Sequence, residues 1–161
     1  SLTGHLVFST LHTNDAPSAV TRLTDIGVKP FLIASATRCL MAQRLVRKIC
    51  QKCESPATPE NSDLLALGLD PDQIKDADFK AGKGCDKCNG TGHKGRFGLF
   101  EVFVVDDESR KMIVNKVTTT DLRRRAREVG MRTLREDGAR KAVAGMTTAN
   151  EVLRVTVGDE D

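Results

Sequence analysis

Two short stretches, Cys50-Gln51-Lys52-Cys53 and Cys85-Asp86-Lys87-Cys88, decide how the middle of this 161-residue sequence folds. Each stretch holds two thiols that are separated by two other residues, so one turn of the chain can aim both sulfurs at the same ion. The two pairs together supply four soft ligands, which zinc favours in a tetrahedron with bonds of about 2.3 Å. Because four thiolates leave no open coordination position, the predicted zinc site is structural rather than catalytic.

The same cysteines have other interpretations. They can form disulfides, or remain unliganded thiols in the interior. The sequence shows no charged and then apolar leader, which makes disulfides the weaker alternative. His93 follows Cys88 closely and is an alternative fourth ligand. The remaining cysteine, Cys39, falls in a predicted apolar helix, where we expect a buried and inert thiol.

Before the first cysteine pair, the sequence predicts a strand followed directly by a helix. Residues 4–13 alternate in polarity and are rich in β-branched and aromatic side chains, which is typical of a strand. Asn14 or Asp15 then offers an N-cap, Pro17 falls in the first turn, and Gly27 follows the last turn. A strand leading into a helix is half of a βαβ unit and implies a parallel sheet.

Later segments add mostly helices. The patterns predict a buried helix over 31–43, a strand over 45–49, short helices within 62–74, a glycine-rich loop over 82–98, a strand over 99–105, helices over 107–116, 121–129 and 132–144, and a last helix with a capping box of Thr148 and Glu151. We expect Thr120 to cap the helix over 121–129. Too few strands follow to complete a parallel sheet, so we expect the chain to be the C-terminal piece of a longer protein.

Composition excludes several classes of protein. Hydrophobic residues make up 39% and charged residues 29%, which suits a folded globular chain. No apolar run approaches the roughly 20 residues of a membrane span. The net charge of +3 is too small to indicate nucleic acid or a membrane surface. With six Phe and neither Trp nor Tyr, surfaces for base stacking are scarce.

A polar cluster closes the predicted N-terminal strand. It comprises Ser9, Thr10, His12, Thr13 and Asn14. In parallel α/β sheets, ligands bind at the carboxyl ends of strands, so these side chains are candidates to meet a phosphate or an activated water. The alternative is a cap cluster that satisfies the N–H groups of the following helix.

Residues 3–16, TGHLVFSTLHTNDA, resemble the His box of the secretion ATPase superfamily, which powers bacterial type II secretion and type IV pilus assembly. The resemblance continues through Ala42-Gln43-Arg44-Leu45, the two cysteine pairs, residues 95–101 and the helical tail, which is essentially the whole chain. The combination of these motifs is specific, although no one of them is specific alone.

The resemblance implies an α/β fold, namely the C-terminal portion of a RecA-like P-loop ATPase domain with an incomplete sheet. Residues 1–49 would belong to the ATPase core, residues 50–93 to a zinc-binding insert, and residues 94–161 to a mostly helical region. Members of the family are cytoplasmic homo-hexamers that use ATP and Mg²⁺. Their cycling drives the assembly of pilin-like subunits by way of an inner-membrane platform protein, and they are peripheral at the inner membrane through their partners.

The resemblance also implies site residues. The four cysteines match structural zinc ligands. His12 and His5 match His-box residues near the terminal phosphate of the nucleotide, where an imidazole can orient water or stabilise developing charge. Arg22, Arg44 and Arg96 lie in family-like motifs and are candidates to approach the nucleotide. The alternative for each arginine is an exposed or ion-paired structural role.

One departure from the family's pattern bears on activity. Phosphoryl transfer needs a glycine-rich phosphate cradle with its Lys and acidic residues for Mg²⁺. The sequence contains no Gly-x-x-x-x-Gly-Lys-[Ser/Thr], and Gly82-Lys83-Gly84 has neither the spacing nor the hydroxyl residue. We therefore expect that these residues alone do not hydrolyse ATP.

Two other functions compete with this interpretation. The first is a zinc-ribbon module that binds nucleic acid through the basic helix around Arg123-Arg124-Arg125. Interleaved acidic residues and the shortage of aromatic side chains argue against it. The second is a protein-interaction module that carries zinc.

Overall fold

The computed structural model describes residues 4–157 and is a mixed α/β structure with small sheets. In chain order the elements are α1 Ser18–Asp25, α2 Pro30–Ala36, β1 Cys39–Ile49, β2 Glu54–Pro56, α3 Asn61–Ala66, α4 Pro71–Lys75, β3 Lys80–Gly82, β4 His93–Val104, α5 Asp107–Val114, α6 Thr119–Glu128, α7 Leu134–Val143 and α8 Ala149–Val155. The chain forms two compact units, the first from residues up to Ala42 and Glu101–Arg132, the second from Gln43–Phe100 and residues from Thr133 onward.

The first unit is a cluster of short helices. Helix α5 packs against α2 and α6, and α1 contacts α2 and α6. Ile33 on α2 and Ile113 on α5 are both buried. Arg110 of α5 donates to the carbonyl oxygens of Ala34 and Thr37. These carbonyls lie at the end of α2, where no further helical turn supplies donors, so the arginine caps that helix from outside it.

The second unit combines a small sheet with the four helices α3, α4, α7 and α8. β2 pairs antiparallel with β3, with Glu54 opposite Gly82. Helix α8 packs against both α3 and α7. Leu99, Leu134 and Val152 are completely buried and form the core of this unit. The longer strands β1 and β4 pair with each other, and the boundary between the units falls within both strands.

The strand predicted over residues 4–13 is wrong. This segment is irregular, and its apolar side chains are exposed, with Leu6 at 77% and Phe8 at 88%. Alternating polarity makes a strand only where a neighbour satisfies the backbone N–H and C=O groups. None of the strands within residues 4–157 pairs with this segment. The helix predicted after it is confirmed, and Gly27 ends it with a φ of +92°.

The helix predicted over residues 31–43 is correct only for its first half, since α2 ends at Ala36. Residues 39–49 instead form β1, in which Ala42 and Val46 are buried while Met41 and Leu45 are exposed. A run of apolar residues is compatible with either structure, and here pairing with β4 decides. Cys39 therefore lies exposed at the start of β1, and the expectation of a buried thiol is wrong.

The remaining helices are confirmed to within a few residues. The cap of α6 is Thr118 rather than Thr120. Thr148 caps α8 by accepting a hydrogen bond from the Glu151 N–H, as expected. The glycine-rich loop is shorter than predicted, because β4 already begins at His93. No helix in the part of the chain that the structure describes is both long and apolar enough to span a membrane.

The crossing of α7 and α8 yields a test of this packing. A Cβ atom on Gly138 would lie 2.3 Å from Cγ1 of Val152 and 3.0 Å from Cδ1 of Leu99. Helix propensity alone predicts that Gly138→Ala raises the free energy of unfolding by about 1 kcal/mol. We expect the overlap to dominate and to lower it by about 1–3 kcal/mol.

Urea unfolding measures this difference. Arg140→Ala, at an exposed position of the same helix, is the control and should change the free energy by no more than about 0.5 kcal/mol. A Gly138→Ala protein more stable than the parent would contradict the observed packing.

Candidate functional site

The structure brings the sulfur atoms of Cys50, Cys53, Cys85 and Cys88, the four-cysteine cluster, within 4.8 Å of one another. The Sγ–Sγ distances are 3.9 Å for Cys50–Cys85, 3.9 Å for Cys53–Cys88 and 3.7 Å for Cys85–Cys88. A disulfide requires about 2.05 Å, so no pair is bonded. Four sulfurs at the corners of a tetrahedron with zinc bonds of about 2.3 Å are about 3.8 Å apart, so the observed spacing fits a zinc ion.

Local backbone turns aim each pair of sulfurs. Cys53 N–H donates to the Cys50 carbonyl at 3.1 Å, and Cys88 N–H donates to the Cys85 carbonyl at 3.1 Å. Residues Asp86–Cys88 form a turn of 3₁₀-helix. The two loops are also bonded to each other, since Cys50 N–H donates to Gly92 O at 2.9 Å. The two-residue spacing in the sequence thus corresponds to the same turn used twice.

Glycines allow the two loops to approach this closely. A Cβ on Gly82 would lie 2.0 Å from the Gly92 carbonyl oxygen, and one on Gly92 would lie 2.4 Å from the Gly82 carbonyl oxygen. A second contact nearby is one-sided, because a Cβ on Gly84 would lie 2.7 Å from Gly90 O, whereas a Cβ on Gly90 would meet open space. The sequence predicted only a glycine-rich loop here, and the structure shows that these glycines allow a tight backbone crossing beside the cysteines.

Hydrogen bonds prepare the four-cysteine cluster for a cation. Cys88 Sγ accepts from the backbone N–H of Cys85 at 3.2 Å and of Gly92 at 3.3 Å. Burial raises the pKa of the Cys88 thiol, but these N–H groups and the neighbouring thiols outweigh burial and lower its pKa to about 6. Burial raises the pKa of Cys53 to about 12. The N–H groups thus stabilise negative charge on Cys88 Sγ, and the thiolate is the form in which cysteine binds a metal ion.

His93, the alternative ligand, is not part of the group of possible metal ligands found within residues 4–157. Its Nδ1 atom lies 3.0 Å from the Thr91 carbonyl oxygen. The ring instead lines a cavity of about 450 Å³ in the second unit, together with Phe79 and Thr148.

The two candidate histidines lie on the irregular segment before α1. Both His5 and His12 are exposed. The N-cap of α1 is supplied not by His12 but by Asp15, which accepts from the backbone N–H of Ser18 at 2.8 Å and from its hydroxyl at 2.7 Å. The prediction that Asn14 or Asp15 caps this helix is therefore confirmed for Asp15, the residue that follows the polar cluster.

The chain immediately after His12 is held from two other elements of the first unit. Ala16 N–H donates to the Glu101 carboxylate of β4 at 2.7 Å, and both residues are buried. Arg123 of α6 forms an ion pair with Asp15 at 3.1 Å. Sequence reasoning included Glu101 only as the last residue of a family-like motif and assigned it no role.

The three candidate arginines differ in their surroundings. Arg22 is exposed on α1, Arg96 is exposed on β4, and Arg44 is half-buried on β1. Their proximity to a nucleotide stays a prediction, as does the functional division of the chain at residues 49 and 93.

Sequence reasoning assigned Glu151 only a capping role. In the structure its side chain is instead buried and bound by two arginines. Its side chain is 3% exposed and accepts from Arg47 Nη2 at 2.6 Å, Arg154 Nε at 2.9 Å and Arg47 N–H at 3.0 Å. Burial raises the pKa of this carboxyl group, but the hydrogen bonds of the two arginines outweigh burial and hold the pKa well below its usual range. The carboxylate therefore binds Arg47 of β1 to α8, and it does not serve as the second half of a capping box.

Comparison with known proteins places these features in context. The family described as type II/IV secretion system protein matches residues 1–154. The type IV pilus assembly ATPase PilB of Thermus thermophilus is 48% identical over 98% of this chain and 18% of its own length. Two proteins of Pseudomonas aeruginosa are also similar. The type II secretion system protein HxcR is 48% identical over 97% of this chain and 29% of its own length. The type II secretion system protein E is 44% identical over 97% of this chain and 30% of its own length. The chain thus spans less than a third of the length of these curated relatives.

The glycine crossing provides a test of how the cysteine loops are built. Gly68→Ala and Gly92→Ala both place a side chain at positive φ, +66° and +72°, but only Gly68 has open space around it. We expect Gly68→Ala to lower the free energy of unfolding by about 1 kcal/mol, the cost of the left-handed backbone alone. Gly92→Ala should lower it by about 3 kcal/mol or more, because the new Cβ also overlaps the Gly82 carbonyl.

Chemical denaturation of the two variants measures the difference. Equal losses for both variants would mean that the crossing at Gly92 relaxes without cost.

Proposed function

This chain belongs to the family of type II/IV secretion system proteins, and we propose that it works within an ATPase that drives type II secretion or type IV pilus assembly. The observation that supports this most strongly is the 48% identity to a type IV pilus assembly ATPase over 98% of the chain. In this proposal the chain contributes the His box, residues 3–16, and the zinc-binding insert, residues 50–93, of a RecA-like P-loop ATPase. ATP and Mg²⁺ are bound by the complete enzyme.

The four-cysteine cluster holds a structural zinc ion in this proposal. The sulfur spacing, the glycine crossing and the N–H groups on Cys88 Sγ support it. Bound zinc supplies a crosslink between the loop that begins at Cys50 and the loop that begins at Cys85, and this crosslink contributes to folding energy. The cysteines take no part in phosphoryl transfer, because four sulfur ligands leave no position for a substrate.

His12 and His5 act at the terminal phosphate of the nucleotide in the proposed enzyme. The exposure of both rings leaves them accessible to a ligand. A neutral imidazole orients the attacking water, whereas a protonated one stabilises charge on the phosphate oxygens. Arg22, Arg44 and Arg96 are candidates to add positive charge near the nucleotide.

The proposed partners are those that the resemblance implies. The complete enzyme is a cytoplasmic homo-hexamer that acts on an inner-membrane platform protein. The relatives' printed names, pilus assembly ATPase and type II secretion system protein, support a place in such a machine. Both branches match this chain at similar identity, so the proposal covers either one.

The structure does not favour the nucleic-acid alternative. Three arginines of the basic helix α6 form ion pairs with carboxylates of the same chain. Arg123 pairs with Asp15, Arg124 with Asp121 and Arg125 with Asp106. Arginines that are already paired with carboxylates are poor counterions for phosphates, since binding would first have to break these pairs.

The zinc proposal is tested by metal content. We expect about one zinc per chain by atomic emission, the number that one four-thiolate site binds. Cys85→Ser/Cys88→Ser should lose the metal and melt at a lower temperature, because the crosslink between the loops is lost. Cys39→Ser is the matched control, since Cys39 lies outside the cluster, and it should retain zinc. Absence of zinc in the parent, with all thiols titrating as free, would refute the site.

The ATPase proposal is tested in two steps. The purified 161-residue chain should show no ATP turnover, because its sequence carries no phosphate-binding loop. In the longer protein that includes this loop, His12→Ala should lower kcat by about 10²–10⁴-fold, the range for loss of a positioned acid or base. Turnover by the short chain that is abolished by His12→Ala would overturn the first expectation. Unchanged kcat in the longer variant would overturn the role of His12.

A further inference from the structure

A buried carboxylate holds the backbone at the point where the His12 segment enters α1. Glu101 is 4% exposed, and its Oε1 atom accepts the Ala16 N–H at 2.7 Å across 85 residues of sequence. Ala16 is itself 1% exposed, and its carbonyl already accepts the Ala19 N–H at 3.2 Å in the first turn. The Ala16 N–H has no partner within the helix, so Glu101 supplies the acceptor that this position needs.

The hydrogen bond from the Ala16 N–H to Glu101 is short and has a carboxylate as its acceptor. A carboxylate acceptor makes a hydrogen bond roughly twice as strong as a neutral acceptor does. The donor lies at the positive end of the α1 dipole, which favours a negative charge there. Both ends of the bond are buried, so water does not compete for it, and the contact fixes the orientation of the Ala16 peptide.

The residues on either side of Ala16 are also fixed. Asp15 is held by Ser18 and by Arg123, and Pro17 is fully buried with a φ of −61°. Three consecutive residues thus have defined positions, and His12 is attached three residues before the first of them. The exposed segment is therefore anchored at its C-terminal end by β4 and α6.

We infer that Glu101 is a positioning residue for His12, holding the Ala16 peptide so that the imidazole is presented in one place. This inference rests on the proposed role of His12 at the nucleotide. Glu101 acts through the backbone, and Arg123 reinforces it through Asp15. Displacement of a catalytic group by about 1 Å can cost about 10²-fold in rate, so the anchor matters to catalysis as well as to stability.

The test is a double-mutant cycle in the longer ATPase that contains this chain. Glu101→Met removes the acceptor at similar size, and Glu101→Gln retains a neutral and weaker one. We expect Glu101→Met to lower kcat by about 10-fold or more, with KM changed by less than about 2-fold, because only transition-state positioning is lost. Glu101→Gln should recover part of the rate.

Coupling to His12 separates positioning from stability. In a His12→Ala background, Glu101→Met should change kcat by less than about 2-fold, because there is no imidazole left to misplace. The matched control is Glu151→Gln, which alters another buried carboxylate that accepts a distant backbone N–H but does not touch residues 12–16. Its effect on kcat should be the same with and without His12.

Each outcome has one meaning. Equal rate losses from Glu101→Met in both backgrounds, or no loss in either, would overturn the inference while leaving the role of His12 intact. If His12 does not contribute to catalysis, the single variant His12→Ala would show this separately by an unchanged kcat. Should Glu101→Met fail to fold, the same cycle with Glu101→Gln decides by the same criterion.

Hydrogen exchange in the 161-residue chain gives a readout that needs no ATPase. The Ala16 amide should exchange at least about 10-fold faster in Glu101→Met than in the parent, because its acceptor is gone. The Val20 amide, which donates to the Pro17 carbonyl at 3.1 Å, is the internal control and should keep its rate. Unchanged exchange at Ala16 would show that Glu101 does not hold this peptide.

Discussion

At Gly82 and Gly92 two stretches of backbone cross with a separation that leaves no space for a Cβ atom on either residue. Both cysteine pairs depend on this crossing, because it brings the turn after Cys50 beside the turn after Cys85. Within the second loop, the Gly92 N–H donates to Cys88 Sγ at 3.3 Å and stabilises negative charge there. Backbone geometry thus brings together the four sulfur atoms that could hold a metal ion.

Both compact units use a buried glutamate as an acceptor for a distant backbone N–H. Glu101 accepts from Ala16 in the first unit, and Glu151 accepts from Arg47 in the second. Glu151 also accepts from the side chains of Arg47 and Arg154, and the bond from Ala16 to Glu101 holds the chain that follows a candidate catalytic residue. The same physical device therefore stabilises a fold in one place and can position a functional group in the other.

Local signals were sufficient where an element is held together by its own neighbours in sequence. Helices α5 to α8 were predicted from caps and periodicity, since a cap such as Thr148 acts within three residues. The four-cysteine cluster was predicted for the same reason, because a two-residue spacing aims both sulfurs locally. The strand over residues 4–13 was wrong, because strand formation depends on a partner that the alternation pattern cannot reveal. The long helix over 31–43 failed because an apolar run fits a strand equally well.

The sequence by itself determined the family, the four cysteines that could hold a metal ion and the positions of most helices. The family motifs around His12 and the two cysteine pairs are contiguous, so each can be recognised without any knowledge of the fold. Only the tertiary structure decided that β1 replaces half of a predicted helix, that glycines carry the loop crossing, and that Glu101 meets Ala16. These contacts join residues up to 85 positions apart, and their existence depends on packing rather than on local pattern.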